Sequence, residues 1–154
     1  MTSEMRIALA SDHHGVVLKA ELVEVLRENG FDPVDVGPDS SEAVDYPEYA
    51  ALASRFVSDG EADAAVLICG SGVGMAIAAN KFPGVRAVNA HDPDEAEMAR
   101  RHNNANVLAL GASRIDSIDA AQILLRFLDT QFESGRHARR VEQIAEIERD
   151  AQSG

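Results

Sequence analysis

Residues Val66 to Lys81, VLICGSGVGMAIAANK, constrain this chain more than any other stretch of it. Ala64-Ala65-Val66-Leu67-Ile68 is a short unbroken apolar run, the pattern of a strand buried on both faces. It ends at Cys69, the only cysteine in the chain, and passes into Gly70-Ser71-Gly72-Val73-Gly74. Met75 to Lys81 then reads as a helix rich in good helix formers. A strand, a glycine turn and a helix N-terminus in succession turn several backbone N–H groups toward one point, which suits an anion.

Two familiar uses of such a turn do not fit. A dinucleotide fingerprint, G-x-G-x-x-G, needs a third glycine where Met75 stands, and it usually follows the first strand rather than the third. A P-loop ends in Gly-Lys-Ser/Thr, which Gly74-Met75-Ala76 is not. The glycines alone are equally compatible with a plain strand-to-helix turn.

Around this stretch the strands and helices alternate. Met5 to Ala10 is a first strand, Val16 to Asn29 a helix with Leu18, Leu22, Val25 and Leu26 on one face, and Pro33 to Val36 a second strand. Pro47 suits the first turn of a helix running to about Ser58. Val85 to Asn89 and Asn106 to Leu110 read as the fourth and fifth strands. Helices follow over Pro93 to His102, Ser117 to Gln131 and Ala138 to Asp150. This spacing predicts parallel βαβ units: an α/β fold, a three-layer α/β/α sandwich on a five-stranded parallel, Rossmann-like sheet, plus a C-terminal helix. The 154 residues make one domain, 1–154, with 136–150 a helix expected to pack on a partner subunit. Val141, Ile144, Ala145 and Ile147 form its apolar stripe.

Composition narrows the function. A net charge of −12 excludes a general nucleic-acid or anionic-membrane binder. One cysteine allows no intrachain disulfide, and no Cys/His cluster has zinc spacing. Met1 to Arg6 carries no signal-peptide core and no apolar run reaches a membrane span, so a soluble cytoplasmic protein is expected. In an open parallel sheet, functional residues gather at the carboxyl ends of strands. Asp12-His13, Cys69-Gly70-Ser71 and Gly111 to Arg114 all follow such ends, whereas His102-Asn103 closes a helix.

Ser11-Asp12-His13-His14-Gly15, Asp45-Tyr46-Pro47, Cys69 to Gly74, Asn80-Lys81, Arg100 to Asn104, and Gly135-Arg136-His137 with Arg140 span nearly the whole chain. In this order they resemble the RpiB/LacAB sugar-phosphate isomerase family. The resemblance implies reversible conversion of ribose 5-phosphate and ribulose 5-phosphate, with no cofactor and no metal. It also implies a homodimer, or a tetramer, with shared active sites. An aldose becomes a ketose when a base removes the C2 proton and one returns to C1 through an enediolate. A cysteine titrating near ~8.5 beside a helix N-terminus is a plausible base, against the bland alternative of an inert buried thiol. The resemblance assigns Cys69 that role. Family members that carry a glutamate six residues later would differ here, since this chain has Met75.

By the same resemblance His102 opens the furanose ring, and Ser71 transfers a proton or binds a hydroxyl. Backbone groups of Gly70, Ser71, Gly72, Val73 and Gly74 stabilise the enediolate. Asp12, His13 and Asn103 contact the sugar, and Arg114, Arg136 and Arg140 hold the phosphate. Pattern alone would leave His102 as a helix C-terminal cation and most arginines as surface charge, where Arg100, Arg101 and Arg139 are placed. Gly111 to Arg114 is one residue longer than the corresponding turn of close relatives. An Asp-His-His metal site at residues 12–14 is set aside because neighbouring side chains should point apart. Isomerisation of allose, galactose or tetrulose phosphates, and a non-catalytic phosphometabolite-binding module, are the rival functions.

Overall fold

The computed structural model describes residues 4–153. The part of the N-terminal lead at Met1 to Ser3, read above as free of a leader, lies outside them. Five strands, β1 (Arg6–Ser11), β2 (Asp32–Asp35), β3 (Ala64–Cys69), β4 (Ala87–Asn89) and β5 (Val107–Gly111), form one sheet in the order β2-β1-β3-β5-β4. All neighbours are parallel; Leu9 lies beside Val66, and Cys69 beside Gly111. Helices α1 (Val16–Glu28), α2 (Tyr46–Ser58), α3 (Val73–Ala79), α4 (Pro93–Asn103) and α5 (Ser117–Asp129) fill the crossovers, and α6 (Arg136–Ser153) follows. Among the described residues no helix is long and apolar enough to cross a membrane.

The two faces of the sheet are packed differently because side chains alternate along each strand. Ile7, Leu9, Val66, Ile68, Leu108 and Leu110 face α1, α4 and α5, where Leu22, Leu26, Ile123, Leu124 and Phe127 meet them. Ala8, Ala10, Ala65, Leu67 and Ala109 face α2 and α3, which offer Ala50, Ala53, Met75 and Ala79. Small residues on both sides let those two helices lie close to the sheet. Cys69 belongs to that small-residue face, beneath the start of α3.

Several expected boundaries shift, among them those of the third helix, the fourth strand and the last helix. The third helix begins at Val73, not Met75, because Gly72 takes φ +85° and turns the chain straight into it. Asn80 ends that helix, and its side-chain amide bonds both the carbonyl and the N–H of Ala87. The fourth strand starts at Ala87, not Val85, since the Arg86 N–H donates to the Asn106 side chain at 2.8 Å. The last helix is longer at both ends than Ala138 to Asp150. It lies across the β4 edge of its own sheet, where Glu148 accepts the Gly84 N–H at 3.0 Å. Val141 and Ala145 are half-buried there, but Ile144 and Ile147 are exposed at 47% and 69%. A groove of about 640 Å³ opens between α6 and β4, lined by Val85, Val88, Ala99, Asn103, Ile144 and Ile147 among others.

Candidate active site

β3 delivers Cys69 to the carboxyl edge of the sheet, 6% exposed, with the glycine turn folded back over it. The Gly72 N–H donates to the Cys69 sulfur at 3.1 Å, and the Val73 N–H donates to Ser71 Oγ at 3.2 Å. Two amides expected to face a substrate are thus spent inside the turn, one of them on the sulfur itself. The turn is held from several sides. A Cβ on Gly111 would stand 2.6 Å from the Ser71 carbonyl oxygen, so only glycine lets β5 pass that close. Asn89 donates to the same carbonyl at 3.3 Å. In the longer turn after β5, the Ser113 hydroxyl donates to the Gly70 carbonyl. Gly74 lies against the Tyr46 ring, which makes Tyr46 one wall of this region.

Asp12 and His13 follow β1 on the same edge, where the Asp12 N–H bonds the Ile68 carbonyl. Asp12 is buried, and its carboxylate accepts the His14 N–H at 2.9 Å and meets the His14 ring nitrogen at 3.2 Å. His13 Nδ1 accepts the Val44 N–H at 3.2 Å. The expectation that these neighbours point apart is corrected here. They sit in a turn closed by Gly15 N–H on the Asp12 carbonyl, so strand alternation does not apply, and the two imidazole centroids lie 4.1 Å apart with their planes tilted by 38°. Arg114, in the turn after β5, is exposed on this edge as well.

His102 and Asn103 lie elsewhere. α4 runs back against the strand direction and ends beside the amino edge of β5. The five residues of β5 separate the two edges by roughly 13 Å. At this second edge the His102 ring stacks on that of His137, centroids 4.2 Å apart and planes 14° from parallel. Glu133 reaches both imidazoles, at 3.8 Å and 3.9 Å, while its Oε2 accepts a hydrogen bond from Arg101 Nε at 2.7 Å and lies 2.7 Å from Arg101 Nη2 in an ion pair. Arg136 and Arg140 project from the first turns of α6 next to this cluster. Arg101 is therefore part of a network rather than plain surface charge. Arg100 also leaves that class: it bonds the carbonyls of Thr130 and Ala105 and lies over the Phe127 ring.

The charges here influence one another. The hydrogen bond from Arg101 holds the Glu133 carboxyl below its ordinary range, and the nearby imidazoles add to this. Burial pushes the His137 imidazole down, as do His102, Arg136 and Arg140, against the opposing pull of Glu133. Neither His137 nor Glu133 was singled out as a site residue in the sequence. The i, i+4 spacing of Glu133 and His137 was the available signal, but Arg101 lies 32 positions away. Asp12-His13-His14 and His102-Glu133-His137 both bring ligand-type atoms within 4.8 Å of one another. In each, the carboxylate is already engaged, by the His14 amide or by Arg101.

The chain thus presents two clusters of polar groups, one at each edge of the sheet. One has a thiol, a hydroxyl and a glycine turn, suited to proton abstraction; the other has imidazoles and arginines, suited to acid–base transfer and anion binding. A family model described as Ribose/Galactose Isomerase matches residues 7–144. Ribose-5-phosphate isomerase B of Escherichia coli is 47% identical over 144 residues, covering 93% of this chain and 96% of that protein. The Clostridium thermocellum ribose-5-phosphate isomerase B structure superposes with a TM-score of 0.93 at 41% identity, over 96% of this chain and 99% of the other. A Mycoplasma genitalium structure of the same enzyme with bound ribulose 5-phosphate gives 0.92 at 39% identity, over 96% and 99%. With matches over nearly its full length in sequence and in fold, the chain belongs to the ribose/galactose isomerase family.

Proposed function

We propose that this chain interconverts ribose 5-phosphate and ribulose 5-phosphate as a cytoplasmic homodimer whose active sites each join the Cys69 half of one subunit to the His102 half of the other. The enzyme is a sugar-phosphate isomerase; the distribution of its work between subunits is the part proposed. One observation carries it: Cys69 and His102 stand at opposite edges of one sheet, so a single chain cannot bring both to one sugar. The open groove beside α6, with Ile144 and Ile147 exposed on its rim, supplies apolar surface for such an association.

The chemistry then divides between the halves. The partner subunit's His102 takes the proton of the anomeric hydroxyl and returns one to the ring oxygen as the C1–O4 bond breaks. The partner subunit's Asn103 binds the sugar oxygens, and the partner's Arg136 and Arg140 grip the phosphate. They sit four apart, so both guanidinium groups leave the same side of the helix. Arg114 and His13 approach from the Cys69 side, and Asp12 holds a sugar hydroxyl. The Cys69 thiolate removes the C2 proton, the enediolate forms, the O2 proton passes to O1, and Cys69 returns its proton to C1, leaving the C2 carbonyl of the ketose. The Gly72 N–H on the sulfur holds the base in place. Ser71 Oγ already accepts from Val73, which leaves its proton to donate to a substrate oxygen.

Subunit mixing tests the arrangement. Cys69→Ala and His102→Ala proteins should each be nearly inactive on ribose 5-phosphate. In a mixed dimer one site carries both defects and the other carries neither, so exchange should restore activity. No recovery, with mass spectrometry proving that mixed dimers formed, would return both residues to a single chain's site.

A further inference from the structure

We propose that Glu133 is a positioning residue for ring opening, holding the His102 and His137 imidazoles in register and balancing their charge from a point that never touches the sugar. The proposal rests on the reading of His102 as the ring-opening residue.

Glu133 lies in the segment between α5 and α6 and is fastened to the end of α4 twice. Its backbone N–H donates to the Arg101 carbonyl at 3.0 Å, and its Oε2 accepts Arg101 Nε at 2.7 Å. Thus anchored, each carboxylate oxygen faces a different ring: Oε2 stands 3.8 Å from His102 Nε2, and Oε1 stands 3.9 Å from His137 Nε2. These separations are too long for hydrogen bonds and act through charge. The two imidazoles lie nearly parallel at 4.2 Å, an arrangement that penalises protonating both at once.

The arginines at this pair are Arg101 from α4, which is paired with Glu133, and Arg136 and Arg140 from α6, which act on His137. Without Glu133 the arginines would oppose a proton on His137 with nothing to offset them. With it, one proton can reside on the stacked pair while the other imidazole remains neutral. A residue that must first accept a proton and then release it needs that condition. Arg101 in turn keeps Glu133 ionised and fixes its direction. The same contacts argue against a cation in this cluster, since the carboxylate is occupied by a guanidinium and two more arginines stand close.

Glu133→Gln keeps the shape and the acceptor for Arg101 but removes the charge; Glu133→Asp keeps the charge and withdraws it by one methylene. Imidazole titrations followed by NMR on the substrate-free dimer report the effect without catalysis. In Glu133→Gln the His137 midpoint should move down by about half a unit or more. The kcat for ribose 5-phosphate should fall about tenfold with KM little changed, and Glu133→Asp should recover part of both. Unmoved titrations, or equal losses in the two variants, would overturn the proposal by reducing Glu133 to packing. If Glu133→Gln does not fold, Glu133→Asp decides alone: an unchanged His137 titration overturns the proposal and a lowered midpoint supports it. His102→Ala assayed on ribose and ribulose 5-phosphates separates the premise. Equal losses on both sugars would remove ring opening from His102, while the NMR arm still reads the hold of Glu133 on the rings.

Discussion

The two edges of this sheet are built from different materials. At the carboxyl edge the backbone does most of the holding: Gly72 turns with positive φ, Gly111 lets one strand pass the Ser71 carbonyl, and an amide addresses the Cys69 sulfur. At the amino edge the connections are side chains, Arg101 to Glu133 and His102 on His137, drawn from three separate segments. A backbone cradle is stiff and places one atom accurately, as proton abstraction from carbon requires. A cluster of charged and titratable side chains is tunable, and here Glu133, Arg136 and Arg140 are exposed while His137 is buried.

The largest effect should come from the carboxyl edge. Cys69→Ala is expected to lower kcat on the order of a thousandfold while phosphosugar affinity stays close to wild type. Single-turnover assays with parallel binding measurements check this. A variant that retains more than about a tenth of the wild-type rate would take the base role from Cys69 and with it the distinction between the edges.

The amino edge should show a smaller and more selective loss. His102→Ala should slow turnover of ribose 5-phosphate, mostly cyclic, by about a hundredfold. Initial chemistry on ribulose 5-phosphate, which cannot close a furanose through its phosphorylated O5, should change by less than about threefold. Rapid-mix assays in both directions give the ratio, and a ratio near one would mean that the two edges do not divide the reaction as argued.

These two edges were not equally legible in the sequence. The order of strands and helices follows from apolar runs and punctuation, so the fold was readable. The Cys69 turn was readable too, because its parts are consecutive: strand, glycines, helix. Its internal bonds were not, since nothing in GSGVG says that Gly72 will address the sulfur rather than a ligand. The convergence of Asp12, His13 and His14 was misjudged by applying a strand rule to a turn. The amino edge was legible only as separate motifs, HNN and GRH, because the contact of Arg101 with Glu133 depends on how α5 returns beneath α4. Pattern also misplaced Arg100, whose environment is set by the Thr130 and Ala105 carbonyls.

Substituting a glycine sharpens the claim that backbone packing builds the carboxyl edge. Gly111→Ala places a methyl 2.6 Å from a backbone oxygen that cannot rotate away. A destabilisation of about 2–3 kcal/mol is expected, with a fall in kcat as the turn over Cys69 shifts. Gly60→Ala is the control: φ is +77° with nothing within 4 Å, so it should cost about 1 kcal/mol and leave kcat unchanged. Urea unfolding and steady-state rates on both variants make the comparison. Equal losses of activity would mean that stability alone, not the fit against Ser71, governs the site.

The smallest effect is a pH dependence confined to the amino edge. His137 is held below the ordinary imidazole range in the folded chain, first by burial and then by His102, Arg136 and Arg140, with Glu133 opposing. Between its folded value and the ordinary value of about 6.5, the unfolded chain binds the proton that the folded chain does not. Stability therefore rises with pH through that window: His137 imposes no penalty above it and its full penalty below it. Glu133 adds a separate step of the same sign at lower pH, because its carboxyl is depressed by Arg101, so the stability it contributes is lost as it protonates. Thermal unfolding of wild type and His137→Asn between about pH 5 and pH 8 isolates the histidine, since the other titrating groups are common to both. The wild type should lose more stability than the variant as pH falls through the window. Parallel curves would show that the stacked ring is not held against protonation, and that the amino edge is as indifferent to pH as a backbone cradle.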